Sequence, residues 1–289
     1  MNLKKLNKAL DALRRKYGAK NGEIALRDGH PFIGATPLLP GRMERKIVEL
    51  KKMTENGTLE GVSTLRFASF APTDGGLETA SPMDGGLETA SPMDCGLQRG
   101  GGLQSAVGNS PAQRQLSAML AKELDLAAYL GGSDVVRVMA VRSGAAVDVL
   151  AKLASDVNVS VEIGAGLPKG AAPYDRHEII ARRGVACDQT VDTHTPHASI
   201  RVTNGDGMAE YTDVDTELFG LTYEEIWTVR AAFAILQGRA DAKIWKAAWA
   251  KAARAAALAL EAADACAPRR IAPRKGPDTN QAIKVAEVR

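Results

Sequence analysis

The chain has 289 residues, of which 45% are hydrophobic, 25% are charged and 4% are aromatic, and its net charge is +3 at neutral pH. This length can bury an ordinary core without disulfide or metal staples, and the low aromatic content argues against a platform that stacks rings on sugars or single-stranded nucleic acid. Three widely spaced cysteines, no signal segment and no apolar run of about 18 residues predict a reducing compartment and no membrane span.

Positive charge is concentrated at the two ends of the chain. Residues 1–52 carry eight more Lys and Arg than Asp and Glu, and residues 267–289 carry four more, so the middle is acidic. Basic ends on an acidic body are typical of proteins that contact phosphate backbones, acidic membranes or an acidic patch on a partner. The alternative is a solvated surface that only keeps the protein soluble.

The first predicted element is a basic amphipathic helix. Leu3, Leu6, Leu10 and Leu13 recur at helical spacing, and the segment ends near Gly18. Because the stripe is too short for an independent coiled coil, we expect it to dock on its own body or on a neighbouring chain. A second helix is predicted from about residue 42 to residue 56.

A perfect tandem repeat follows, in which GGLETASPMD occurs twice over residues 75–94. Each copy contains two glycines and a proline and has neither helical nor strand periodicity, so no packed core is specified there. A solenoid needs at least about three copies with a continuous apolar face, so the segment is predicted to be a connector.

The middle of the chain has the clearest periodic segments. Ser110 and Pro111 predict the start of a helix that reaches about residue 130. Residues 135–141 and 157–163 predict two strands, and the segment after Ser143 predicts a helix that connects them in parallel. Residues 198–203 and 208–213 predict a hairpin around residues 204–207.

The last predicted elements are helical: Thr222 and Glu225 form a capping box, and an alanine-rich helix runs from Asp241 to Pro268. The predicted fold class is α+β, with a small mixed α/β sheet unit (strand-helix-strand plus hairpin) flanked by N-terminal helices and the long C-terminal helix. The predicted segments are a basic helical arm (1–70), a glycine-rich repeat connector (71–109), an α/β body (110–221), a helical region (222–266) and a basic tail (267–289).

Two surfaces are predicted to contact other molecules. The alanine face of the last helix allows close helix approach, which predicts an oligomer contact through Trp245, Trp249, Ala252 and Ala256. The basic ends predict contacts with DNA phosphates or with a partner through Lys4, Lys5, Lys8, Arg14, Arg15, Arg269 and Arg270.

Candidate chemistry is sparse. His177, His194 and His197 fall in a window of metal-ligand types that also holds Asp175, Cys187, Asp188 and Asp192. There is no C-x-x-C partner, however, and Pro196 prevents the last two histidines from sharing a helix face. Asp94-Cys95 with the later His197 resembles cysteine-dependent cell-wall peptidases, yet Cys95 lies in the connector, where nothing lowers the pKa of its thiol. We therefore predict no catalytic residue, no metal and no cofactor.

From this organisation we predict a non-enzymatic structural protein that forms a homo-oligomer with other assembly subunits, such as a neck, core or capsid-associated protein of a tailed-bacteriophage virion. The first alternative is a nucleic-acid-binding accessory protein that uses the basic ends. The second is a metal- or thiol-dependent hydrolase centred on the histidine window. The predicted location is the virion or the bacterial cytoplasm, with no transmembrane segment.

Overall fold

The computed structural model describes residues 1–27, 29–72, 111–190, 198–204, 207–213, 221–265 and 269–270. Its helices are α1 (Leu3–Tyr17), α2 (Arg45–Glu55), α3 (Pro111–Gly131), α4 (Tyr223–Leu236) and α5 (Ala242–Ala265), with a short 3-10 helix at Pro40–Met43. Its strands are β1 (Ile24–Arg27), β2 (His30–Ile33), β3 (Thr36–Pro37), β4 (Val62–Pro72), β5 (Val135–Ser143), β6 (Ala146–Leu153), β7 (Asn158–Leu167), β8 (Tyr174–Ala181), β9 (Gly184–Thr190), β10 (Ala198–Asn204), β11 (Gly207–Asp213) and β12 (Arg269–Arg270).

Nine of the described strands form one mixed sheet in the order β11-β10-β9-β8-β4-β7-β6-β5-β12. Every neighbouring pair is antiparallel except β4 and β7, which run parallel with Phe67 opposite Val161. On its other side β4 pairs antiparallel with β8. The central strand therefore comes from the N-terminal quarter of the chain, and its neighbours come from beyond residue 110.

The sheet buries one face under helices α2, α3 and α5. Along β6, Val147 and Val149 are buried while Asp148 and Leu150 are exposed, which is the period-two pattern of a sheet with one covered face. The covered face forms the larger core, in which apolar side chains of the sheet meet those of α3 and α5. The opposite face of β5 and β6 is open, with Met139 and Val141 among its exposed side chains.

A smaller second core lies beside the first and is formed by α1, the three-stranded sheet β1-β2-β3 and α4. Leu6 and Leu10 of α1 are buried in it, together with Val229 of α4. Trp249 of α5 packs against both cores and so connects the two layers. The apolar stripe of α1 thus docks on its own chain, which was one of the two predicted outcomes.

The predicted strand-helix-strand unit is wrong. The residues after Ser143 form strand β6, which turns back on β5 at Gly144, where φ is 57°. Val147 and Leu150 have helical spacing, but Val147 and Val149 also alternate with Asp148 as a strand requires. Partners on both sides, β5 and β7, decide between the two patterns. The predicted fold class is therefore corrected to a nine-stranded mixed sheet with helices over one face.

The predicted boundary at residue 70 falls within β4 (Val62–Pro72), the central strand of the sheet. Several local predictions are confirmed: the helices α1 and α3, the capping box of Thr222 and Glu225, and the hairpin of β10 and β11. The tandem repeat at 75–94 lies outside the described residues, so its prediction as a connector stays a prediction.

The residues predicted for an oligomer contact lie mostly inside the chain. Ala256 is buried in the larger core and Trp245 in the smaller one, and Ala252 is also buried. Trp249 is half-buried, and its ring stacks on that of His30 with the centroids 3.7 Å apart. These side chains already pack against their own chain, so the predicted contact through them is not retained. Among the described helices, none combines the length and apolar character that a membrane crossing requires.

Candidate functional site

A row of side chains crosses three strands on the covered face of the sheet. His177 of β8 points to this face, as Ile179 does two residues later, and its ring contacts the Phe67 ring of β4 edge-on at 4.8 Å. Asp188 of the neighbouring strand β9 is also fully buried. The backbone N–H of His177 donates to Oδ1 of Asp188, and Nδ1 of the ring lies 2.6 Å from Oδ2 of the same carboxylate.

Helices α2 and α3 place further charged groups over this row. Helix α3 is buried on nearly all sides. Glu123 and Asp125 are therefore buried, as are Leu124 and Leu126 beside them. Glu44, at the N-terminal boundary of α2, and Lys46 in its first turn are also buried. The charged cluster, as we name it, comprises Glu44, Lys46, Lys122, Glu123, Asp175, His177 and Asp188.

Short ion pairs connect the charged cluster. Nζ of Lys46 lies 3.0 Å from Oδ2 of Asp188 and 3.7 Å from Oδ2 of Asp175. Nζ of Lys122 lies 2.9 Å from Oδ2 of Asp175 and 3.5 Å from Oε1 of Glu123. Nε2 of His177 lies 3.0 Å from Oε2 of Glu123 and 3.7 Å from Oδ1 of Asp175.

The cluster reaches the surface at one place. The Lys122 side chain is 35% exposed and that of Asp175 is 22% exposed, while the side chains of Glu44, Glu123 and His177 are fully buried. A ligand from solvent would therefore meet the Lys122 ammonium and the Asp175 carboxylate first.

Several carboxylate oxygens of the cluster are buried without a hydrogen-bond donor. They are both oxygens of Glu44, Oε1 of Glu123 and Oδ1 of Asp175. Lys46 and Lys122 lie 3.5 Å and 3.8 Å from the Glu44 oxygens, which gives attraction without hydrogen bonds. Since an unsatisfied buried polar group costs about 1–3 kcal/mol, such a concentration in one place calls for an explanation.

Burial and neighbouring charges shift the pKa values of these groups in different directions. Burial disfavours the charged imidazolium, but the carboxylates of Asp188, Asp175 and Glu123 outweigh it and raise the pKa of His177 well above its usual value. Burial would raise the pKa of Asp175, yet Lys122, His177 and Lys46 hold it below its usual value. For Glu44 burial dominates over Lys46 and Lys122, so its pKa is raised. At neutral pH the site therefore combines a charged imidazole with carboxyls of unequal acidity.

A second buried ion pair, between Arg42 and Asp125, lies beside the charged cluster. Arg42 donates from Nε to Oδ2 of Asp125 at 2.9 Å and from Nη2 to Oδ1 at 2.7 Å. The guanidinium also covers the Tyr129 ring, 4.8 Å from its centroid. Both oxygens of Asp125 accept a hydrogen bond here, unlike those of Glu44. We assign this pair to holding α3 against the segment before α2.

A cavity of about 300 Å³ lies near the far ends of α2 and α3, lined by residues that include Lys51, Glu55 and Gly131. Nζ of Lys51 pairs with Oε1 of Glu55 at 3.4 Å, so these two charges already satisfy each other. The unsatisfied groups lie in the charged cluster instead, which makes the cluster the stronger candidate site.

The structure brings only one residue of the predicted histidine window into the cluster. His177 lies at its centre, whereas His194, His197 and Cys95 lie outside the described residues. Cys187 is half-buried beside the site, and burial raises the pKa of its thiol, so it does not have the acidity of a catalytic nucleophile.

The predicted basic contacts lie on α1 and β12, two elements that contribute no residue to the charged cluster. Lys4, Lys5, Lys8 and Arg15 lie on the exposed side of α1, and Arg14 bonds to Asp11 and Asn21. Arg269 and Arg270 form the short edge strand β12 beside β5. DNA or partner contact through these residues remains an untested prediction.

The sequence-based prediction missed Glu44, Lys46, Lys122 and Glu123 as site residues, and it included Asp175 and Asp188 only as possible ligand types in the histidine window. Two signals were present: Lys122, Glu123 and Asp125 interrupt an otherwise apolar helix, and Asp175 and His177 alternate within a strand. Neither signal shows which distant residue is its partner.

Solved structures that share this fold include a levoglucosan dehydrogenase in complex with NADH and levoglucosan, an aldose-aldose oxidoreductase from Caulobacter crescentus, and a myo-inositol dehydrogenase from Corynebacterium glutamicum. Their TM-scores are 0.56, 0.52 and 0.50, and their sequence identities to this chain are 16%, 15% and 13%. The alignments cover 81%, 80% and 82% of this chain but only 65%, 62% and 64% of those proteins. No protein-family model matches the chain, and no curated protein matches it in sequence.

These likenesses correct the predicted function. The fold is one that sugar and inositol oxidoreductases have, which contradicts a non-enzymatic assembly protein of a bacteriophage virion. The same likenesses give no support to the alternatives of a nucleic-acid-binding accessory protein and of a metal- or thiol-dependent hydrolase. Nothing in these comparisons supports a location in the virion.

Proposed function

We propose that this chain is the substrate-binding part of an oxidoreductase that acts on a sugar or polyol, and that the substrate binds at the charged cluster beside Lys122 and Asp175. The observation that carries the proposal is the partly exposed Lys122 ammonium and Asp175 carboxylate, 2.9 Å apart, at the mouth of a buried charged cluster. This arrangement lies on a fold found in sugar and inositol dehydrogenases. The bacterial cytoplasm remains the predicted location.

The chemistry of the mouth suits a polyhydroxylated ligand. A hydroxyl group both donates and accepts, so it can donate to Asp175 while its oxygen accepts from the ammonium of Lys122. Hydrogen bonds with charged groups are about twice as strong as neutral ones, and they can hold a polyol without ring stacking, against which the low aromatic content argues. The buried His177 and Lys46 orient Asp175 from behind.

One of the matched structures contains NADH, and the residues of this chain do not fit that cofactor. The dinucleotide-binding pattern G-x-G-x-x-G, which lets a helix N-terminus approach the pyrophosphate, occurs nowhere in the 289 residues. Gly164 and Gly166 belong to β7, and a Cβ at Gly164 would lie 2.6 Å from Phe70. The element that follows β7 is strand β8, so no helix begins after these glycines. We therefore assign substrate binding to this chain and derive no hydride-transfer step from its residues.

The test is ligand binding by the purified chain, with Lys122→Met as the variant and Lys152→Met as its matched control. Lys152 is 32% exposed and pairs with Asp156 at 2.7 Å, so it resembles Lys122 in exposure and pairing but lies on β6. Isothermal titration and thermal unfolding would be measured with myo-inositol and levoglucosan. A ligand present at about 100 times its dissociation constant raises the free energy of unfolding by about 2.7 kcal/mol.

The expected result is binding by the wild type and by Lys152→Met, and at least about tenfold weaker binding by Lys122→Met. Because excluded sugars and polyols stabilise proteins in general, an equal rise in Tm for all three proteins would count as a solvent effect and would contradict the proposal.

A further inference from the structure

We propose that the charged cluster binds a divalent transition-metal ion through Nε2 of His177 and carboxylate oxygens of Glu123 and Asp175. One ligand atom from each residue can be chosen so that the three lie within 4.8 Å of one another. Nε2 is 3.0 Å from Oε2 of Glu123 and 3.7 Å from Oδ1 of Asp175. Ligands at about 2.0–2.2 Å from one ion are separated by about 3–3.5 Å, so only a small adjustment is needed.

The histidine is already held as a metal ligand requires. A metal-binding imidazole usually donates its other ring N–H to a carboxylate, which fixes the ring and the tautomer. Here Nδ1 of His177 is 2.6 Å from Oδ2 of Asp188, and the backbone N–H of His177 donates to the other oxygen of that carboxylate. This arrangement directs Nε2 towards Glu123 and Asp175.

The unsatisfied carboxylate oxygens point to a missing cation. Glu123 is fully buried, and its Oε1 accepts no hydrogen bond; the same holds for Oδ1 of Asp175 and for both oxygens of Glu44. Ion coordination would satisfy oxygens on Glu123 and Asp175 at once. A purely structural ion network would leave them unsatisfied at a cost that the neighbouring Arg42–Asp125 pair avoids.

The charge of the cluster matches a divalent ion. Four carboxylates, those of Glu44, Glu123, Asp175 and Asp188, face two ammonium groups, those of Lys46 and Lys122. The imidazolium of His177 must release its Nε2 proton to solvent when the ion binds, and with the imidazole then neutral the four carboxylates exceed the two ammonium groups by the charge of one divalent cation. Buried charges must be balanced, because isolated ones are costly in a low-dielectric interior.

Lys122 lies where an ion would enter the cluster. Its ammonium is 2.9 Å from Asp175 and 3.5 Å from Glu123, so it competes with the ion for these two carboxylates. Because its side chain is 35% exposed, it can move into solvent when an ion binds. Removing this ammonium should therefore strengthen metal binding.

The ligand set selects the kind of ion. One imidazole nitrogen with two carboxylate oxygens suits Zn²⁺ and other first-row divalent ions, whereas Mg²⁺ and Ca²⁺ prefer oxygen ligands alone. This inference does not rest on the proposed substrate, since the ion uses the buried side of Asp175 and is tested without sugar.

The experiment is titration of the purified, chelator-treated full chain with Zn²⁺ by calorimetry and with Co²⁺ by visible absorption. The expected result is one ion per chain and a visible absorption spectrum typical of Co²⁺ bound by nitrogen and oxygen ligands. Asp188→Asn should lower the affinity by about 10- to 100-fold, because it removes the partner of Nδ1. The double variant His194→Ala/His197→Ala should keep the wild-type affinity.

Lys122→Met provides the decisive comparison, because it leaves every proposed ligand in place. We expect tighter Zn²⁺ binding by at least about tenfold than in the wild type or in Lys152→Met, since a competing positive charge has been removed. Failure of Lys122→Met to bind Zn²⁺ or Co²⁺ would overturn the proposal, even if the Asp188 variant did not fold. Loss of binding in the His194/His197 variant would also overturn it, because the ion would then sit elsewhere.

Discussion

Two ion networks join the same two segments, residues 42–46 and 122–125, and they differ in completeness. The Arg42–Asp125 pair is bidentate, buried and covered by Tyr129, and every oxygen of its carboxylate accepts a hydrogen bond. The charged cluster beside it contains buried carboxylate oxygens that accept none. We call the Arg42–Asp125 pair the closed network, because both of its carboxylate oxygens accept hydrogen bonds. We call the charged cluster the open network, because several of its buried oxygens accept none. Burial of charge alone therefore does not mark a functional site, whereas unsatisfied buried charge with a path to solvent does.

The largest expected effect breaks the closed network. Asp125→Ala leaves the Arg42 guanidinium buried without its partner, and we expect the free energy of unfolding to fall by about 3–5 kcal/mol in urea titrations. The double variant Arg42→Met/Asp125→Leu should recover most of this loss, since burial raises the pKa of Asp125 despite the arginine. An Asp125→Ala protein as stable as the wild type would contradict the assignment of this pair to structure.

The second effect concerns the pH dependence of the open network. The pKa of His177 is raised in the folded chain, so its imidazolium stabilises the fold fully below the unfolded value of about 6.5 and loses this contribution as pH rises through the folded value. In chelator-treated protein, we expect stability to decrease on the alkaline side. His177→Gln should remove that decrease, whereas Lys152→Met should keep it. Parallel stability profiles for wild type and His177→Gln would show the interpretation to be wrong.

A smaller effect on stability is expected for Glu44 of the charged cluster. Burial raises the pKa of Glu44, and neither of its oxygens accepts a hydrogen bond. Replacing it with Gln removes a costly buried charge and keeps the size of the side chain. We expect the free energy of unfolding at neutral pH to change by less than about 1 kcal/mol. A loss as large as that of Asp125→Ala would mean that the two networks are equally structural.

The smallest expected effect on stability is that of Lys122→Met. Its ammonium is a third exposed, and such pairs contribute less than about 1 kcal/mol. Equilibrium unfolding without ligand or metal should therefore resemble that of Lys152→Met. A small change in stability together with altered ligand binding would support a binding role for Lys122. A large destabilisation would instead show that Lys122 has a structural role, as the Arg42–Asp125 pair has.

Local signals in the sequence determined several elements correctly. The capping box at Thr222 and Glu225, the start of α3 at Pro111 and the hairpin around residues 204–207 depend on neighbours within a few residues, and the structure confirms them. Chain-local physics suffices there, because capping hydrogen bonds and turns are formed within one segment.

The architecture and the site depend on contacts between segments that are distant in sequence. The segment after Ser143 fits both helical and strand spacing, and it becomes β6 because β5 and β7 offer hydrogen bonds on both sides. Glu44, Lys122 and His177 are far apart in sequence, and they meet only because β4 pairs with β8 and α3 packs across the sheet. Charge pairing in a buried cluster depends on distances through space, and the order of residues along the chain does not contain those distances.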